Sequence, residues 1–127
     1  MSFPAACPEI PVSDLAAALD WYRTRLAFTI DWSDEALGLA GVSRGASRMF
    51  LSNAAYRAHL GNAPPLVLWL NLNGRAEVDA LHAEWSERGV AIDAPPRAEP
   101  WKLYEFFAAD PDGNRFRVFY DFAWEER

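Results

Sequence analysis

The sequence predicts an α+β fold, with two βαβββ modules forming a curved mixed sheet and helices on its outer face. Three observations predict it. Two segments carry apolar residues at helical spacing, and their starts, Asp14 and Arg75, lie roughly 61 residues apart. The runs around them alternate in polarity or are bounded by turn residues, as strands are. The order strand, helix, three strands then occurs twice, with little identity between the halves. We read one domain over 1–127, with module one about 1–62 and module two about 63–127. The inner face of such a sheet is a cup that a ligand, a metal or a partner chain must cover.

Residues 5–12 read as an extended run, and Pro8 and Pro11 suit an edge strand. Ser13 or Asp14 can cap a helix over 14–26, whose apolar face is Leu15, Leu19, Tyr22 and Leu26. Strands follow at about 27–33, 37–43 and 47–52, punctuated by Ser33-Asp34-Glu35 and by Arg44-Gly45. Residues 53–65 form a loop with one helical turn, ending in Pro64-Pro65. The order then restarts with an alternating strand over 66–73, where Val67, Trp69, Asn71 and Asn73 face the cup. Val78, Leu81 and Trp85 mark a helix over 76–88, stopped by Gly89. Strands at about 90–95, 101–109 and 114–122 complete the chain, the last two joined by Asp110-Pro111-Asp112-Gly113. In the final strand Phe116, Val118, Tyr120 and Phe122 form the core face, with Arg115, Arg117, Phe119 and Asp121 opposite.

Composition narrows the function. Hydrophobic residues at 51% exclude a disordered chain, and no apolar run approaches membrane-spanning length. The N-terminus lacks a basic flank and an apolar core of signal-peptide length, so a cytoplasmic protein is expected. A net charge of −6 argues against nucleic acid and suits a cationic ligand. The single Cys7 cannot form an intramolecular disulfide. Aromatics at 14%, with six Trp, can fill a core or line a pocket for a flat ligand.

The element order, the opening PEIPVSDLAAALDWYRTRLAF and the closing EFFAADPDGNRFRVF resemble the vicinal oxygen chelate superfamily of glyoxalases, extradiol dioxygenases and bleomycin-resistance proteins. The likeness covers essentially the whole chain and implies paired βαβββ modules in a homodimer. Enzymes of this superfamily hold a divalent metal through His or Gln, and Glu. The matching positions here are Cys7, Val67 (Leu66 or Leu68 if the register slips by one) and Arg117. Valine offers no donor and arginine repels a cation, so no metal and no cofactor is expected. The nearer likeness is to bleomycin-resistance proteins, which bind the drug without chemistry. It rests on Ala6 to Phe28, Ile30-Asp31-Trp32 through Gly41-Val42, Leu81 to Glu87, and Glu99-Pro100-Trp101 running into Asp110 to Asn114. It implies ring positions at Trp32 and Trp101, with Leu39 where the family has a second aromatic, and a polar contact at Ser52.

The expected ligand-binding set is therefore Trp32, Trp101, Leu39, Asp31, Ser52, Trp69, Tyr104 and Arg117, with no catalytic residue. Trp21 and Trp85 on the helices read as structural, and His59 and His82 as loop and helix-face residues. Cys7 reads as a small buried side chain. Asp31, Asp34 and Glu35 are a solvated turn or a seat for a cation. Glu105 and Arg117 form an ion pair or contact ligand. With a four-residue last turn, Ala109 faces Asn114 and the two charges fall on opposite faces unless a bulge intervenes. The expected function is sequestration of a flat, cationic aromatic molecule in a dimer-interface cleft, clamped between Trp32 of one chain and Trp101 of the other, with a bleomycin-type drug as one candidate. The alternatives are a glyoxalase-like lyase, isomerase or dioxygenase with a non-standard metal site, and a structural or regulatory dimer.

Overall fold

In the computed structural model, which describes residues 1–58, 61 and 63–126, the order strand, helix, strands recurs in two compact units, Met1–Pro65 and Leu66–Arg127. The first contains β1 (Glu9–Pro11), α1 (Leu15–Arg25), β2 (Thr29–Asp34), β3 (Leu39–Arg44), β4 (Ser47–Ser52) and α2 (Ala54–Arg57). The second contains β5 (Val67–Asn71), α3 (Arg75–Glu87), β6 (Ala91–Ile92), β7 (Arg97–Ala98), β8 (Leu103–Ala109), β9 (Arg115–Asp121) and a 3₁₀ helix (Phe122–Glu126). Each unit has its own sheet, ordered β1-β4-β3-β2 and β5-β9-β8-β6, with β7 also on β8. In both, the first strand lies parallel to the last and the others are antiparallel. No helix among the described residues is long and apolar enough to cross a membrane.

Local chemistry explains the first unit. Asp14 Oδ1 accepts from the Ala17 amide at 3.1 Å and caps α1. Leu15, Ala18, Leu19 and Tyr22 bury one face of the helix against the core strands, beside Ile10, Val42 and Leu51. Positive φ at Ala27 ends the helix, and the Phe28 amide returns to the Tyr22 carbonyl at 3.0 Å. Between Ile30 and Trp32 the β2–β3 register shifts by one residue, leaving Asp31 as a bulge. Cys7 precedes β1 and is exposed, not buried as expected, because the ladder with β4 begins only at Glu9. His59 lies outside the described residues.

The second unit centres on Trp85. Its ring meets Phe106 and Phe116 edge-on at 6.1 and 5.9 Å, and His82 packs edge-on to Phe106 at 5.3 Å. The strand expected at 90–95 is only β6. Pro95 and Pro96 lack the amide a ladder needs, and Asp93 Oδ1 instead takes the Ala94 and Phe107 amides. β7 then pairs with β8 through a hairpin over Pro100-Trp101-Lys102. There the Lys102 amide bonds the Glu99 carbonyl at 3.0 Å, and Lys102 has φ +72°. Trp101 is therefore in a turn, and β8 begins at Leu103 instead of 101. The chain end also differs, because Asp121 caps the 3₁₀ helix by accepting from the Ala123 amide.

The last turn corrects the expected register. Ala109 pairs with Arg115, not Asn114, so the loop is Asp110–Asn114, with five residues. Asp110 and Asn114 hold it closed through the backbone at 2.9 Å and through their side chains at 2.9 Å. Asn114 also accepts from the Leu66 amide at 2.9 Å, tying the turn to the start of β5. Glu105 and Arg117 consequently share a face without any bulge.

Replacing Asn114 with Ala is expected to cost about 2 kcal/mol, because the Leu66 amide and Asp110 carboxylate lose a buried partner. A lower urea midpoint at unchanged slope would show this. An unchanged midpoint would show that the side chain does not lock the turn.

Candidate functional site

Pairing in the first sheet places Trp32, Gly41, Phe50 and Glu9 in one row, and Asp34, Leu39, Ser52 and Pro11 in the next. Gly41 is what lets the Trp32 ring lie across β3. A Cβ there would stand 2.9 Å from Cε2 of Trp32 and closer still to Nε1. The ring rests on Phe50 at 5.9 Å and stays 42% exposed. Asp31 accepts from the Ser43 hydroxyl at 3.0 Å, and Asp34 takes the Leu37 amide, so both serve local geometry. Leu39 is half-buried. Ser52 does not offer the expected surface contact. It is wholly buried, its hydroxyl donates to Glu9 at 3.0 Å, and Arg57 donates to its carbonyl.

The second sheet gathers more of the expected residues. Register sets Trp69 of β5 opposite Arg117 of β9, and Arg117 opposite Phe107 of β8. The Arg117 guanidinium lies 4.2 Å from the Trp69 centroid and 5.0 Å from that of Phe107. Phe119 meets Trp69 edge-on at 5.4 Å. Arg117 donates through Nε and Nη2 to both oxygens of Glu105, which is only 4% exposed. Trp101 Nε1 donates to the same carboxylate at 2.6 Å, while its ring is 57% exposed. The ion-pair reading of Glu105 and Arg117 is thus the one realised.

Beside this cluster, Asp93, Pro95, Arg97, Glu99 and Trp101 line a hollow of about 150 Å³. Another of about 260 Å³ lies between Ile92, Phe107 and Arg115. Drug-sized ligands need roughly 300–1,000 Å³, so each takes only part of such a molecule. Tyr104 is not on this face. It alternates with Glu105, shares the helix side with Phe106, and donates to Asp79 of α3 at 2.7 Å. That hydrogen bond, with burial, raises the phenol pKa. Phe107 and Phe119 were missed as site residues. Strand alternation could have found Phe107, but only in the correct register.

The positions at which the resemblance implies a metal do not fit one. Val67 has no donor atom, the Arg117 guanidinium is a cation committed to Glu105, and Cys7 lies outside the β1 ladder. Among the described residues no group of three or more His, Cys, Asp or Glu could hold a metal ion.

Burial pushes the Glu105 carboxyl pKa up, but hydrogen bonds from Arg117 and Trp101 and the Arg117 and Arg97 charges bring it below its ordinary value. The unfolded chain therefore takes up this proton at higher pH than the folded one. The stability the carboxylate lends is complete above about pH 4.3 and lost as the pH falls through the folded value. Wild-type stability should accordingly drop more steeply below about pH 4.3 than that of Glu105→Gln, as read from denaturation midpoints. Parallel curves would show that this carboxylate carries none of the acid sensitivity. Arg117→Ala should cost about 3 kcal/mol at neutral pH, since it strands a buried charge.

Comparison with known proteins agrees with this architecture. The family model described as "Glyoxalase/Bleomycin resistance protein/Dioxygenase superfamily" matches residues 5–118. A glyoxalase/bleomycin resistance protein/dioxygenase from Nocardioides is similar at TM-score 0.78 and 19% identity, over 94% of this chain and 85% of that one. Lactoylglutathione lyase from Agrobacterium tumefaciens gives 0.78 and 18%, over 94% and 96%. A bleomycin-binding protein from bleomycin-producing Streptomyces verticillus, solved with copper(II)-bleomycin, gives 0.70 and 27%, over 93% and 96%. A search of curated proteins found no match. With the family model spanning nearly all of the chain and the same fold in each of these structures, the protein belongs to the glyoxalase/bleomycin resistance protein/dioxygenase superfamily.

Proposed function

We propose that this protein binds a flat, cationic aromatic small molecule without metal and without chemistry, protecting by sequestration. The observation that carries this reading is Trp101. A large ring left more than half exposed would ordinarily be free to turn. This one is tethered by a 2.6 Å hydrogen bond to a buried carboxylate and stands on a hairpin of defined geometry. Holding a stacking surface in its bound pose lowers the ordering cost of binding. Trp69 and Trp32 add exposed rings, and an overall charge of −6 favours a cation at long range. Each ring pair contributes ~0.5–1.5 kcal/mol beyond burial, whereas micromolar affinity needs about 8 kcal/mol. Stacking must therefore be joined by burial and charge.

The reading includes a homodimer, supported by apolar area at Val67 and Trp69 of the kind a second chain or a ligand covers. The likeness to a bleomycin-binding protein supports drug-like ligands of that chemistry. A lyase, isomerase or dioxygenase reading has no observation in its favour among the described residues, given what stands at Val67 and Arg117.

Titrating the metal-stripped protein with metal-free bleomycin, followed by tryptophan fluorescence, tests this. We expect saturable quenching at one or two drugs per dimer, weakened about tenfold in Trp101→Ala with fold and oligomeric state unchanged. A flat wild-type titration removes bleomycin as ligand. Loss of folding in Trp101→Ala would mean that the ring is structural.

A further inference from the structure

Among the exposed tryptophans of the second unit, Trp69 and Trp101 are not equivalent. The guanidinium of Arg117 lies over the Trp69 ring at 4.2 Å. Among the described residues no cation lies over the ring of Trp101, whose N–H instead meets a carboxylate. Both differences trace to one pair of side chains. Glu105 offers two oxygens: Arg117 Nε bonds Oε1, while Arg117 Nη2 and Trp101 Nε1 share Oε2.

A cation over one face of Trp69 occupies that face and repels another positive charge. A carboxylate accepting the indole N–H does the reverse at Trp101. It polarises the ring toward a more negative face, and that face attracts cations. The Trp101 N–H bonds the Glu105 carboxylate at 2.6 Å, and hydrogen bonds to an ionised acceptor are the stronger ones.

We propose that Glu105 is a positioning residue that holds the Trp101 ring in its exposed pose and makes that ring the seat of a ligand's cationic group, while Arg117 holds Glu105 in place and reserves Trp69 for uncharged aromatic surface. The proposal deepens the sequestration reading and rests on it for the claim that Trp101 faces ligand. Ligand class then follows from the pair: a flat aromatic cation is favoured over its neutral counterpart.

The test uses wild type, Glu105→Gln, and the double variant Glu105→Leu with Arg117→Leu, which removes both charges together and leaves neither partner stranded. The first readout needs no ligand. The Trp101 indole N–H signal, assigned by its loss in Trp101→Phe, should lie downfield and exchange slowly with water in wild type. In both variants it should move upfield and exchange faster. An indole signal unchanged in the variants overturns the positioning role.

The second readout is affinity for two probes of one shape, N-methylacridinium and neutral acridine at pH 8. Wild type should prefer the cation about tenfold. Both variants should lose that preference, and Trp69→Ala should keep it. Equal wild-type affinities, or a preference that survives Glu105→Gln, overturns the assignment of ligand class. If Trp101→Ala binds both probes as wild type does while the indole signal still responds to Glu105, the sequestration reading has failed at Trp101 and the positioning of the ring stands. If wild type binds neither probe, the sequestration reading and the ligand class fall together.

Discussion

A carboxylate taken out of water must be met by donors, and the candidate site depends on how Glu105 is met. Its two oxygens accept from Arg117 and Trp101, side chains that arrive from β9 and from the β7–β8 hairpin. Arg117 in turn is held by its stack on Trp69 and Phe107 from the two flanking strands. One buried charge therefore orders three strands' worth of side chains on one sheet face. Its cost in desolvation is offset chiefly by the two hydrogen bonds from Arg117, and Trp101 adds a third from the exposed side.

The resemblance implies that Arg117 stands where metal-dependent members of the superfamily have a carboxylate donor. The same backbone position supports opposite electrostatics: a guanidinium neutralised internally by Glu105 in place of a cation held by side chains. The fold tolerates the exchange because its cores lie on the other side of the sheets. In the second unit Trp85, Phe106, Phe116 and Val118 bury together whatever the open face carries. Glyoxalase-like lyases and bleomycin-binding proteins can accordingly share the architecture seen here.

Much of this was legible in the amino-acid order. Helical spacing of Leu15, Leu19 and Tyr22, and of Val78 and Trp85, located the two long helices to within a residue or two. Alternation assigned Leu68 and Leu70 away from Trp69, and Phe116 and Val118 away from Arg117, as the burial pattern has it. Less was legible where one residue decides. A four-residue and a five-residue turn over Asp110–Asn114 look alike in sequence, yet they differ by a flip of the face that Glu105 presents to Arg117. The choice belongs to the Asn114 side chain, which reaches Leu66, forty-eight positions away in the chain.

Side-chain type and periods within a few residues were enough for the element order apart from β7 and the closing 3₁₀ helix, for the two-module plan, for the helix faces and for the unsuitability of Val67 and Arg117 as metal ligands. Tertiary structure alone decided which side chains meet. It broke the strand before Pro95, lifted Trp101 onto a turn, turned Tyr104 toward Asp79, withdrew Ser52, and joined Glu105 to both Arg117 and Trp101. Those outcomes rest on strand register and on hydrogen bonds between residues distant in the chain, and local sequence carries no record of either.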